Sequence, residues 1–107
     1  MSHVTVQAKT LDSIHAEIGQ PRIAFIKCDI EEHELECLKG AGRLINHSHP
    51  TWLIEIKGDP DDPNSRAYQT FSLLHQAGYK AFILKGSQLQ ERQPGEMSVN
   101  YFFLANL

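Results

Sequence analysis

The chain has 107 residues, which is the length of a single domain. Hydrophobic residues make up 41% of it, charged residues make up 21%, and ten basic against thirteen acidic side chains leave a net charge of −3. This balance indicates no nucleic-acid or anionic-membrane partner. The apolar runs fall far short of the about 20 residues of a membrane-spanning helix, and the N-terminal segment lacks the apolar centre of a signal peptide. We therefore expect a cytoplasmic protein.

The first predicted elements are a strand and a short helix. Residues 3–11 alternate apolar and polar side chains, a pattern with the period of a strand. Asp12 is the residue type that begins a helix, and Gly19 is the type that ends one. The sequence thus predicts a strand over residues 3–11, followed by a helix capped by Asp12.

A second strand and a longer helix follow. Residues 23–28 are almost wholly apolar, which is typical of a strand buried on both faces in a parallel sheet. Asp29 and Glu32 have the spacing of a capping box. Leucine, alanine and isoleucine side chains then recur at helical intervals. We expect one continuous helix over residues 31–45.

The second half of the chain repeats this alternation. Three further apolar runs predict strands, at residues 52–56, 81–84 and 101–105. Between the first two of them, Asp62 followed by Pro63 predicts the start of a helix, and Gly78 predicts its end. Residues 87–97 are polar and predict a loop.

This order of elements predicts the fold class. Helices between successive strands imply parallel pairing through right-handed crossovers. No helix separates the last two strands, so one of them should run antiparallel to the rest. The sequence predicts one α/β domain over residues 1–107, with a mixed, mostly parallel sheet, one antiparallel strand and flanking helices.

Two acidic residues mark the expected functional edge of that sheet. Ligands of open α/β sheets bind at the carboxyl ends of the strands. Asp29 directly follows one predicted strand, and Glu55 lies near the end of the predicted neighbouring strand. Paired carboxylates there could hold a metal ion, act as a base or position a substrate hydroxyl. The alternatives are structural: Asp29 as a helix cap, and Glu55 in an ion pair with Lys27.

Other candidate groups carry weaker signals. Glu31 and Glu34 lie in the first helical turn, where the helix dipole alone explains acidic residues. His47 and His49 form a close pair without a third ligand nearby, so we expect no zinc site. The two cysteines, Cys28 and Cys37, lie in apolar segments typical of buried, inert thiols. No phosphate-binding or dinucleotide-binding glycine motif is present.

The segment around these acids resembles a known family. Residues 26–41, IKCDIEEHELECLKGA, are similar to the pattern I-K-x-D-x-E-G-x-E-x-x-x-L-x-G-A of FkbM-type methyltransferases. Four further elements are also similar: the T-L-D triplet at residues 10–12, the strand 52–56 with its glutamate, the L-x-x-x-G-Y element at residues 74–79 and the aromatic ending at 101–106. These elements occur in the family's order and spacing.

The resemblance implies a fold and a set of site residues. FkbM-type proteins are S-adenosylmethionine-dependent O-methyltransferases with a Rossmann-like sheet, and this chain resembles the C-terminal half of that fold, with its last strand inserted antiparallel. The cofactor-binding half has no counterpart in the sequence. The side chains that the resemblance implies on the substrate side are Lys27, Asp29, Glu31, Glu34 and Glu55. At one position the chain departs from the family pattern, with Glu32 in place of glycine.

These inferences favour two functions over a third. The first is the C-terminal region of an enzyme that transfers a methyl group to a hydroxyl of a small molecule or sugar, inactive as an isolated chain. The alternative is a non-catalytic binding or assembly module derived from that fold. A small acid-dependent or metal-dependent enzyme of another class is the third. The edge of strand 23–28 should be covered by residues 3–11, by a second copy in a homo-oligomer, or by the missing N-terminal half.

Overall fold

A computed structural model describes residues 11–20, 22–28 and 33–105. Its four helices are α1 Leu11–Glu17, α2 Glu34–Lys39, α3 Gly42–Ser48 and α4 Arg66–Gln76. Its five strands are β1 Phe25–Cys28, β2 Thr51–Glu55, β3 Tyr79–Lys85, β4 Gln88–Glu91 and β5 Asn100–Ala105. None of the helices in this part of the chain has the length and apolar character needed to cross a membrane.

The five strands form one mixed sheet in the order β1-β2-β5-β3-β4. β1 and β2 pair in parallel, whereas β2 with β5, β5 with β3 and β3 with β4 pair antiparallel. The prediction that one of the last strands runs antiparallel is confirmed. The prediction of a mostly parallel sheet is wrong, because β5 lies between the co-directional strands β2 and β3 and converts what would be one parallel pairing into two antiparallel ones.

A second antiparallel strand comes from the segment predicted as a loop. β4 lies within residues 87–97 and forms a hairpin with β3, in which Lys85 pairs with Gln88. The two-residue connection needs a left-handed backbone, which Gly86 provides with a φ of 63°. All four side chains of β4 are exposed, so apolar periodicity could not reveal this strand.

One face of the sheet forms the core. The strand register places Ile54 of β2 beside Cys28 of β1 and Tyr101 of β5 on that face, and all three are at most 3% exposed. Trp52 is fully buried on the same face. The prediction that the first apolar run is buried on both faces is wrong, because Lys27 on the opposite face of β1 is exposed. At β1, only one face of the sheet therefore contributes to the core.

The helix predicted over residues 31–45 is two helices, of which the structure describes the part from residue 33. α2 ends at Lys39, and α3 begins at Gly42. The break falls at a Gly-Ala-Gly sequence, where each glycine costs about 1 kcal/mol relative to alanine within a helix. The amide of Ala41 turns back to the carbonyl of Leu38 at 3.1 Å, which closes α2 with a tighter turn.

The helix predicted after Asp12 is α1, but Asp12 does not cap it. Of the strand predicted over residues 3–11, all but Leu11 lies outside the described residues, and Leu11 is the first residue of α1. The carboxylate of Asp12 instead accepts hydrogen bonds from the amides of Arg43 at 3.1 Å and Leu44 at 2.8 Å. Asp12 thus caps α3, whose own first residues supply no capping side chain.

We expect Asp12→Ala to lower the free energy of unfolding by about 1–2 kcal/mol, because two amides of α3 lose their acceptors. Urea denaturation followed by circular dichroism measures this loss. Asp12→Asn is the matched control, since it keeps one oxygen acceptor and should retain part of the stability. Equal stability of Asp12→Ala and the natural chain would contradict the capping role.

Candidate functional site

The structure describes three of the five residues implicated by the sequence. Lys27 lies on β1 and is exposed, Glu55 ends β2 and is half-buried, and Glu34 begins α2 and is half-buried. Asp29 and Glu31 lie outside the described residues. Their proposed place in a site therefore remains a prediction from the sequence.

The ion pair considered between Lys27 and Glu55 is not formed among the described residues. Lys27 is in register with Leu53, so Glu55 lies two residues farther along the neighbouring strand, about 6.6 Å away along its direction. Glu55 lies at the strand end opposite Asn100 and is half-buried. Its position at the end of the strand removes the reason for expecting a buried partner, because a partly solvated carboxylate does not require a neutralising charge.

Glu34 borders a cavity of about 250 Å³ at the carboxyl end of β2. One wall comes from the start of α2. The second comes from residues 56–58, which directly follow β2, and the third from the start of α4. The described residues that line the cavity are Glu34, Leu35, Ile56, Lys57, Gly58, Ser65, Arg66, Ala67 and Thr70. The cavity thus lies at the edge where α/β sheets bind ligands.

The third wall depends on how α4 begins. The sequence predicts Asp62 as the cap, but α4 begins at Arg66, and the hydroxyl of Ser65 accepts the amide hydrogen of Tyr68 at 3.0 Å. The Asp62 carboxylate accepts from the amide of Asn64 at 3.0 Å and so forms a local turn instead. The consequence is that α4 starts four residues after Asp62, with Arg66 at its first position.

An exposed ion pair joins α4 to α2, the two helices that form walls of the cavity. The guanidinium of Arg66 on α4 donates to both carboxylate oxygens of Glu36 on α2, and His33 lies 3.5 Å from the same carboxylate. The hydrogen bond from Arg66 lowers the pKa of Glu36 below its ordinary value. These contacts join two helices whose residues are 30 positions apart, so they hold the cavity's opposite walls together.

The loop that leads into α4 is anchored from the far end of the chain. Asp61 accepts from both terminal nitrogens of Arg92, at 2.8 and 3.2 Å, and from the amide of Gly95 at 2.7 Å. These donors, Arg92 first, lower the pKa of the Asp61 carboxyl. The Arg92 side chain is only 9% exposed, and its guanidinium lies 5.3 Å from the centre of the Phe71 ring. The anchored loop connects Gly58 and Ser65, which both line the cavity.

A larger cavity of about 360 Å³ lies along α4 and β3. Its lining includes the aromatic rings of Phe71, Tyr79 and Phe103 together with Lys80 and Arg92. It presents mainly apolar surface, and the described residues that line it include one carboxylate, that of Glu91, and one imidazole, that of His75. Both cavities thus offer a group that can accept a proton. The smaller one is the better candidate site, because it lies at the carboxyl end of β2 and adjoins Glu34, which the family resemblance implies on the substrate side.

The arrangement offers carboxylate chemistry. Among the described residues, no group of three or more histidine, cysteine or acidic side chains could hold a metal ion. The ring of His47 instead lies 5.0 Å from that of His15 and its Nδ1 lies 2.9 Å from the Ser48 hydroxyl. Lys57, Arg66 and Thr70 could not be predicted from the sequence, since no motif connects these residues to the acids before them.

Comparison with known proteins gives one family and no individual relative. The model of the methyltransferase FkbM domain matches residues 1–81. No curated protein and no solved structure gives a significant match. The matched range ends within β3, so β4 and β5, including the aromatic ending of the chain, lie beyond it.

The Glu36–Arg66 pair predicts a specific pH dependence of stability. Since the folded-state pKa of Glu36 is lowered, its contribution is present above the ordinary value of 4.5 and is lost as the pH falls through the folded-state value. We expect Glu36→Gln to lower the melting temperature at pH 7 and to have no effect once the pH is below the folded-state pKa. Thermal denaturation between pH 2 and 8 measures both.

Glu91→Gln is the control for this experiment, because the exposed Glu91 carboxylate forms no ion pair with any described residue. Added salt should reduce the difference between Glu36→Gln and the natural chain, since exposed charges are screened. A difference that persists unchanged at low pH would contradict the ion-pair assignment.

Proposed function

The chain belongs to the FkbM methyltransferase family, and we propose that it supplies the acceptor side of an S-adenosylmethionine-dependent O-methyl transfer. The observation that carries this proposal is the cavity at the carboxyl end of β2, with the Glu34 carboxylate on its wall. The substrate class is a small molecule or sugar with a hydroxyl group. Family membership supports the reaction type, and the cavity supports where the hydroxyl binds.

A Rossmann-like arrangement is part of the proposal. Two features support it: the parallel pair β1–β2, and the antiparallel β5 inserted between β2 and β3. The family resemblance implies the same insertion of the last strand. In such sheets the carboxyl ends of parallel strands form the binding edge, which is where the cavity lies.

We propose that this chain accepts the proton that the acceptor hydroxyl loses. A carboxylate oxygen of Glu34 accepts the hydrogen bond of the acceptor hydroxyl and takes its proton as the oxygen is methylated. A positioned general base contributes about 10²–10⁴-fold to the rate. Lys57, whose backbone follows β2 at the same cavity, would bind the polar groups of the acceptor. We propose that Lys27, Asp29, Glu31 and Glu55 line the rest of this substrate edge.

The smaller cavity does not fit the cofactor. The cationic side chain of Lys57 lines it and would repel the positively charged sulfonium of S-adenosylmethionine. We therefore assign this cavity to the methyl acceptor alone.

We also propose that a further part of the enzyme joins the sheet at β1. Among the described residues, β1 pairs only with β2, so it is an edge strand of the part of the sheet that the structure describes. Unpaired strand edges favour the addition of another strand. We propose that the cofactor-binding part of the enzyme joins the sheet along β1, next to the carboxyl end where the acceptor binds.

We expect hydroxyl probes to bind at the smaller cavity. Ethylene glycol and methyl glucoside, titrated into ¹⁵N-labelled protein, should shift the amide resonances of Glu34, residues 56–58 and Arg66. Glu34→Gln should weaken the apparent affinity about tenfold, which corresponds to the loss of a hydrogen bond to a charged group. Two-dimensional NMR spectra recorded at increasing probe concentration measure both effects.

The matched control is Glu91→Gln, because Glu91 lines the larger cavity along α4 and β3. This variant should bind the probes with unchanged affinity. Resonance shifts confined to Phe71, Lys80 and Arg92 would contradict the acceptor assignment, since they would place the hydroxyl site in the larger cavity.

A further inference from the structure

The sheet has a second face, which points away from the core. Among the described residues, the core cluster and the half-buried side chains packed on it come from the first face of the sheet, and they include Trp52, Ile54 and Phe103. None of the strand side chains that point the other way belongs to this cluster. The apolar ones between β2 and β4 are Leu53, Phe82, Leu84, Leu89, Phe102 and Leu104. The described helices therefore cover one side of the sheet and leave an apolar face on the other.

This second face has the size of an interaction surface. Five strands spaced about 4.8 Å apart and about 17 Å long present a face of about 400 Å². Leu84 and Leu89 on it are 54% and 40% exposed. Apolar patches of a few hundred Å² on soluble proteins mark sites of association, and sheets bury such faces against helices or against a second sheet.

The charges of this face lie at its two edges. The strand register places five side chains in one row across the whole sheet, in the order Lys27, Leu53, Phe102, Phe82 and Glu91. The three central side chains are half-buried, whereas Lys27 and Glu91 are exposed. The row thus begins with a cation on β1, ends with an anion on β4 and has Phe102 at its midpoint on β5.

We propose that this face is the interface of a symmetric dimer, in which two copies of the chain stack their sheets. A twofold axis that runs between the sheets, parallel to the strands and level with β5, reverses the row. Phe102 then meets Phe102 of the second copy, and Leu53 meets Phe82 of the second copy. Lys27 lies opposite Glu91 of the second copy on both sides of the axis. The inference does not depend on the proposed function, since it rests on the sheet alone.

The edge charges select this axis. A twofold axis perpendicular to the strands would place each strand against its own equivalent, so that Lys27 would face Lys27 and Glu91 would face Glu91. Such like-charge contacts disfavour an interface. Stacked sheets lie about 10 Å apart, a distance that a lysine and a glutamate side chain span together when they extend toward each other. The row is therefore complementary to itself only about the axis parallel to the strands.

The expected affinity is modest. The face of about 400 Å² per copy is smaller than the about 800 Å² per partner of a standard interface. Ion pairs exposed at a rim contribute little to affinity but fix the orientation of the partners. The apolar centre of the row therefore supplies the attraction, and the charged edges supply the alignment. We expect a dissociation constant in the micromolar range.

Sedimentation velocity on the complete chain measures this equilibrium. We expect a monomer at about 1 μM and a dimer at about 300 μM, concentrations that bracket a micromolar dissociation constant. A chain that stays monomeric over this range would overturn the proposal, whether the face stays bare or is occupied by the chain's own first ten residues.

A charge exchange then tests the face and the axis together. Lys27→Glu and Glu91→Lys each place two like-charged pairs in the dimer and should raise the dissociation constant about tenfold. The double variant restores both pairs with opposite polarity and should recover the affinity of the natural chain. Glu91→Gln removes only the exposed attraction and should raise the constant about threefold. Lys39→Glu is the control, because Lys39 is exposed on α2, away from this face, and its reversal should leave the constant unchanged.

The exchange separates this dimer from other modes of association. Pairing of two chains along the backbone edge of β1 would not respond to a double exchange of side chains. A dimer that neither reversal weakens, or that the double variant does not restore, would overturn the proposal. Lys27 and Glu91 are exposed in the single chain, so we expect every variant to fold, which circular dichroism checks.

Discussion

The fold depends on the burial of β2 between two strands of opposite direction. Trp52 and Ile54 are fully buried on one face of this strand, and hydrogen bonds to β1 and β5 satisfy its backbone on both sides. Burying a large apolar side chain contributes about 1.5–3 kcal/mol, so these two side chains stabilise the pairing register strongly. A shift of one residue would expose both of them. The carboxyl end of β2 is thereby held in place, and with it residues 56–58 of the cavity wall.

Apolar runs allowed four of the strands to be predicted, but their neighbours in the sheet could not be predicted from the order along the chain. β2 and β3 run in the same direction with β5 between them, an insertion that the family resemblance implies but the order of elements along the chain does not. The hairpin of β3 and β4 carried a recognisable signal, the two-residue Gly86-Ser87 connection, although the exposed side chains of β4 gave none. The glycines of residues 40–42 likewise indicated the break between α2 and α3 that the apolar spacing concealed.

The candidate site was predictable only in part, because its walls come from distant segments. Glu34 and Glu55 were found from their places in a motif and at a strand end, and the structure describes both near the carboxyl edge. Arg66 reaches this region through a contact between helices 30 residues apart, which no local pattern records. The same limit explains Asp12: its residue type indicated a helix cap, but the capped helix, α3, begins 30 residues later.

We propose that this chain provides the acceptor side of a methyl transfer and does not hold the methyl donor by itself. The most direct measurement is isothermal titration of S-adenosylmethionine into the purified chain at pH 7. We expect no binding at micromolar concentration, because the cavity that adjoins Glu34 presents the cation of Lys57 to the positively charged sulfonium. Saturable micromolar binding of S-adenosylmethionine to the chain alone would contradict this claim.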